Sequence, residues 1–101
     1  MKKLLICGRL IKNPEIRTDN QGNNFVTFIV TTEHGKTFGV RKDCIEVSCN
    51  GKVAENVVKL AYKGCNIFAE GYPAVHSYIN FKNEIITTQR LYAHTVDILI
   101  E

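Results

Sequence analysis

The chain has 101 residues, of which 45% are hydrophobic and 23% charged, and it carries a net charge of +3. This is the make-up of one small globular domain, with a single core and little room for a deep cleft between layers. No apolar run approaches the ~20 residues of a membrane-spanning helix, so no membrane partner is expected.

In chain order, Lys3 to Leu10 reads as a first strand. Met1 to Cys7 has the basic-then-apolar look of a secretion signal. Arg9 and Lys12 interrupt it, however, and no small-residue cleavage site follows, so a cytoplasmic location is expected. The stretch KNPEIRTDNQGNN, with Pro14, Gly22 and several Asn and Asp residues, reads as loop or strand edge. Phe25 to Thr32 is a second strand, and period-two alternation puts Val26, Phe28 and Val30 on the inner face with Phe25 and Ile29 outside. The basic, glycine-containing EHGKTFGVRKD is the tip of a long hairpin, and Cys44 to Cys49 is a third strand.

The next stretch, NGKVAENVVKLAYKG, has helical spacing. Val53, Val57, Leu60 and Ala61 share one face, while Lys52, Glu55, Asn56, Lys59 and Lys63 supply a wet one. Asn50 or Gly51 can open this helix, and Gly64 sits where a left-handed C-terminal cap would fall. Cys65 to Tyr78 is a fourth strand with a potential break at Pro73. INFKNE makes a turn, and Ile85 to Ile100 is a long, bulged fifth strand. Three strands, a helix and two strands is the order of the OB-fold, an all-β, five-stranded Greek-key barrel with one α-helix between strands three and four. In such a barrel the helix plugs an open end.

Catalytic and metal chemistry find little support. Cys7, Cys44, Cys49 and Cys65 form no Cys-x-x-Cys pair, so they are expected to be reduced, small, buried hydrophobes, with no metal or other cofactor. His34, His76 and His94 keep no fixed spacing to a cysteine or carboxylate pair. With no nucleophile–base pair or Gly-rich phosphate loop either, no enzyme is expected. The charge is uneven: residues 1–52 hold nine Lys/Arg and five Asp/Glu, against four and five in residues 53–101. A basic half attracts phosphate, though so mild a surplus is equally a solvated surface.

Several ordered motifs carry a family likeness. Gly8, Leu10, Pro14, Glu15 and Arg17 fit a Gly-x-Leu-x-x-x-Pro-Glu-x-Arg pattern. Gly51, Lys52, Ala54, Glu55, Lys63, Gly64, Glu70 and Gly71 fit Gly-Lys-x-Ala-Glu and Lys-Gly-x-x-x-x-x-Glu-Gly. With SYINFKNEIITTQ and HTVDIL, they make the chain resemble the bacterial single-stranded DNA-binding protein family over nearly its whole length. The resemblance implies an OB-fold that binds single-stranded DNA with little sequence preference, in replication, recombination or repair. It also implies a homo-oligomer, dimer or tetramer, with replication proteins as further partners.

Such proteins track the phosphate backbone with Lys and Arg and stack bases on aromatic rings. The basic candidates are Arg9, Lys12, Arg17, Lys36, Arg41, Lys42, Lys52 and Lys82. Tyr78 falls where the family commonly carries a stacking aromatic, with Phe38, Tyr72 and Phe81 as neighbours, while Tyr92 reads as structural. Strand three departs from the family: its stacking positions align with Cys44 and Asn50, a basic position aligns with Glu46, and the chain has no tryptophan. Stacking is therefore expected to fall on Tyr78 and its hairpin.

Full-length members of the family continue into a flexible linker and an acidic, hydrophobic-tipped tail. This chain ends at Ile98-Leu99-Ile100-Glu101, which reads as a single domain over 1–101 without that tail. One alternative is the tail-less relative primosomal replication protein N, an OB-fold dimer that binds single-stranded DNA and helicase machinery. Another is an OB-fold module for protein or RNA, which Glu46 on the presumed binding face would suit.

Overall fold

The structure, a computed structural model, describes residues 3–36 and 39–99, and for 33–36, 39–43 and 87 it describes the backbone alone. Six strands and one helix follow one another as β1 (Leu4–Leu10), β2 (Glu15–Thr18), β3 (Asn24–Lys36), β4 (Gly39–Cys49), α1 (Gly51–Leu60), β5 (Asn66–Ile79) and β6 (Ile85–Leu99). The sheet order is β1-β5-β6-β4-β3-β2, and β1 pairs also with β3. Five strands therefore close a hydrogen-bonded ring, β1–β3–β4–β6–β5–β1, and β2 lies along β3 beside β1. All contacts are antiparallel except β4–β6, which is parallel. With the helix between β4 and β5, this is the OB-fold topology expected from the element order.

Alternation decides what the ring encloses. Val26, Phe28 and Val30 of β3, Ile45 and Val47 of β4, Ile67 and Ala69 of β5 and Leu91 of β6 are all buried. Burying a side chain such as Phe28 or Leu91 contributes ~1.5–3 kcal/mol. Their outward neighbours Cys44, Phe68 and Tyr92 are exposed, and Phe25, Ile29, Glu46 and Ser48 are half-buried. The helix packs against β6 and β3. It presents Ala54 and Val57 to the core with Val53 and Ala61 beside them, whereas Leu60 stays 52% exposed. The buried face is thus rotated by part of a turn from the expected one: Ala54 and Leu60 lie about 60° to opposite sides of Val57, and the core takes the Ala54 side.

Other local expectations change in the same way. Ala61 caps the helix in an extended conformation, and Gly64 takes its positive φ of 93° in the following turn, where Cys65 N–H bonds to the Tyr62 carbonyl at 3.0 Å. The Pro14-containing stretch includes the four-residue strand β2, paired with the start of β3. Pro73 does not break β5. The strand pairs with β6 on both sides of Pro73, and among the described residues β1 pairs with it no further than Gly71. The expected bulge lies in β6 opposite Glu70 and Gly71, where His94 is the extra residue.

The cysteines divide by parity. Cys49 and Cys65 are buried as expected, while Cys7 and Cys44 point outward and are exposed, a correction to the expectation for all four. Burial pushes the Cys49 thiol up to about 11. Because the thiolate is the reactive form, a maleimide at neutral pH should modify Cys7 and Cys44 in the native protein. Cys49 and Cys65 should react only in denaturant, which mass spectrometry reads directly.

Closure depends on two glycines. A Cβ on Gly8 would collide with the Thr31 carbonyl and the Val30 side chain, and one on Gly71 with the Tyr92 carbonyl. Gly8→Ala should force β1 away from β3 and cost about 1–3 kcal/mol. At about 4–8 °C per kcal/mol for a domain this small, thermal melts by circular dichroism should show the loss clearly.

Candidate nucleic-acid interface

Because strand partners point to the same side of a sheet, the outward residues form rows across the barrel wall. One row runs Glu15–Thr27–Ser48–Tyr92–Tyr72 through β2, β3, β4, β6 and β5. The next is Ile29–Glu46–Arg90–Ala74, and a third is Arg9–Thr31–Cys44. Arg17 stands opposite Phe25 at the end of the sheet. An open groove of about 640 Å³ runs along the first row, with Phe25 and Tyr92 among its walls, Glu46 and Arg90 of the second row also lining it and Asn50 at its helix end.

Four of the residues singled out in the sequence, Arg9, Arg17, Tyr72 and Tyr78, are brought onto this outward surface. Tyr72 is the cross-strand partner of Tyr92, with its ring 5.7 Å from the His94 imidazole. Tyr78 is 49% exposed further out on β5 and lies 6.3 Å from His76 on the same side. At the far end of the β5–β6 arm the turn is pinned by Asn80, whose Oδ1 accepts from the N–H groups of Lys82 and Glu84, both at 2.9 Å. That turn presents Phe81, 93% exposed, with the Lys82 ammonium 5.8 Å from its ring centroid.

The remaining candidates stand differently. Lys12 and Arg17 both pair with Glu15, at 3.0 and 2.8 Å. The Lys12 ammonium, with Arg17 assisting, holds the Glu15 carboxyl below the usual carboxylate range, so it stays ionised and offsets part of their charge. Lys52 is exposed at the start of α1, two residues past the groove's Asn50. The backbones of Lys36, Arg41 and Lys42 pair with Gly39, His34 and Glu33 in the β3–β4 hairpin; their side chains, and Phe38 altogether, lie outside the described residues.

Sequence reasoning missed two groove residues. Tyr92, read as structural, is 52% exposed and lines the groove, as does Arg90; Phe25, expected on the outer face, lines it too. Alternation about Leu91, which is inward, was the signal that would have placed Arg90 and Tyr92 outside. What the surface offers is π-faces spaced along a curved wall, a few cations and no enclosed pocket. Among the described residues no group of three His, Cys, Asp or Glu side chains is placed to hold a metal ion.

Known proteins agree with this topology. A crystal structure of a small single-stranded DNA-binding protein from Streptomyces coelicolor superposes with a TM-score of 0.75 at 19% identity, over 99% of this chain and 97% of that one. An SSB complex with ssDNA from Plasmodium falciparum gives 0.74 at 19% identity, over 98% and 93%. At that identity both speak for the fold. In sequence, single-stranded DNA-binding protein 1 of Clostridium acetobutylicum is 35% identical over 82 residues, covering 77% of this chain and 74% of that protein. The protein of the same name from Staphylococcus aureus is 28% identical over 104 residues, covering 98% of this chain and 65% of its own length. The profile of the Single-strand binding protein family matches residues 1–99, and the chain belongs to that family.

Proposed function

We propose that this protein binds single-stranded DNA with little sequence preference, in replication, recombination or repair, and acts in the cytoplasm at the nucleoid. The observation that carries this reading is the pairing of Tyr92 and Tyr72 across β6 and β5, next to Arg90 and in line with the groove. Every base has a π-face, so rings on an open wall hold bases without reading them, while cations follow the phosphates. Bases would lie on Tyr92, Tyr72 and Phe25 and continue along the arm to Tyr78 and Phe81. Phosphates would meet Arg9, Arg17, Lys52 and Lys82, and Lys36, Arg41 and Lys42 of the β3–β4 hairpin would extend that path. Family membership supports the reading, since the relatives named above are single-stranded DNA-binding proteins.

Titration of fluorescent oligo-dT tests it. Log affinity should fall with log salt by about 0.7 per phosphate contacted. Tyr92→Ala should weaken binding roughly fivefold or more, since one stacked ring is worth about 1–3 kcal/mol. Tyr62→Ala, exposed but away from the groove, should leave it unchanged. Affinity independent of salt, or insensitive to Tyr92, would reject the reading. Tighter binding of oligo-U than of oligo-dT would favour an RNA module.

The assembly expected is a homo-oligomer, a dimer or tetramer. From Leu4 to Gly8, β1 has β5 on one edge, and its pairing to β3 begins at Arg9. An edge that no other described strand pairs with, carrying exposed Leu4 and Leu5, is a template for a second copy. Light scattering at micromolar protein should find a species of at least twice 11.4 kDa. A monomer alone would refute it.

A further inference from the structure

One ion pair lines the groove on the proposed DNA path. Glu46 of β4 and Arg90 of β6 are register partners, both directed outward, with Arg90 Nε 3.6 Å from Glu46 Oε1. Their side chains are 41% and 36% exposed, so water and salt reach the pair. Among the described residues lining the groove, Arg90 is the one cation. The row partners that flank the pair, Ile29 and Ala74, are uncharged. The groove's other acid, Asp19, is turned to its own loop, where Oδ1 accepts from the N–H groups of Gln21 and Asn23, both at 2.9 Å.

A guanidinium offers the same fork of N–H donors to a carboxylate as to a phosphate. We propose that Glu46 is a built-in competitor for phosphate: it holds Arg90 in the free protein, and a DNA phosphate displaces it. Glu46 is thus a positioning residue that lowers affinity by occupying Arg90. This rests on the reading of the groove as a single-stranded DNA site. The exchange has a characteristic salt dependence. In the wild type, the phosphate that meets Arg90 releases its condensed counterion, but the freed Glu46 carboxylate takes up a cation in turn, so the net release at that contact is small. With Glu46 neutral, the same contact adds its full share to the salt slope.

Fluorescence anisotropy with labelled oligo-dT over a salt series, on the full chain, tests this with Glu46→Gln, Arg90→Gln and the double variant. Glu46→Gln should tighten binding about three- to tenfold at low salt and steepen the slope by about 0.7. In the Arg90→Gln background the gain from Glu46→Gln should vanish, leaving the double variant within about twofold of Arg90→Gln. Glu46→Ala should repeat the result, and melting curves confirm that each variant is folded. If Glu46→Gln binds like the wild type, the proposal fails. It fails equally if the gain survives without Arg90, since Glu46 would then act by repulsion alone. If no variant, wild type included, binds oligo-dT at any salt, the DNA-binding reading itself has failed, an outcome distinct from both.

Discussion

The close approach of β1 to β3 at Gly8 is what turns a meander of strands into a closed wall. Up to Gly8 the strand belongs to β5; at Arg9 and Leu10 it takes Thr31 and Val30 as partners as well. The Leu10 N–H still reaches the Cys65 carbonyl at 3.0 Å, and the Ile11 N–H reaches Ile29 at 3.1 Å. Two neighbouring amides thus bond to opposite sides of the ring. A side chain at residue 8 would collide with the Thr31 backbone, so the absence of one fixes the angle at which the sheet closes. Leu10 then fills the centre beside Phe28, Ile67 and Leu91, and α1 covers the end with Ala54 and Val57.

Closure also dictates the outside. Once β4 and β6 lie parallel with Val47 beside Leu91 in the core, Glu46 has no choice but to stand beside Arg90, and Ser48 beside Tyr92. The chemistry of the groove is in this sense a by-product of core packing. One shift of register would bury Tyr92 and Arg90 and expose Val47 and Leu91. The surface and the interior are two readings of one alternation.

That alternation is why much of the fold was legible. Strands with clear period two, such as Phe25 to Thr32 and Cys44 to Cys49, showed their inner faces plainly, and the family motifs supplied the topology. What alternation within a strand does not reveal is which residues of distant strands become neighbours. Tyr92 looked structural because its partners Ser48 and Tyr72 are 44 and 20 residues away in sequence. β2 was hidden for another reason: its four residues are flanked by Pro14 and a run of Asp and Asn residues, and its pairing with β3 comes from tertiary context rather than propensity. The helix face was misjudged by part of a turn because Ala54 and Leu60 flank Val57 equally, and periodicity alone does not say which side the core takes. Two of the basic candidates also proved locally paired, Lys12 and Arg17 with Glu15, as is Arg90 with Glu46.

The β5–β6 arm differs from the rest of the wall in how many neighbours hold it. Among the described residues, β5 from Tyr72 to Ile79 pairs with β6 alone, and β6 from Ile85 to Gln89 with β5 alone. A two-stranded ribbon is marginal in water by itself, so this stretch can fray and re-form without opening the ring beneath it. Tyr78 and Phe81 ride on that ribbon, while Tyr92 and Phe25 are fixed to the ring. The protein thus combines a stiff anvil with a compliant finger. On the DNA path proposed above, a strand laid on the anvil would meet rings already in place, whereas the finger would follow whatever curve the strand takes as it leaves.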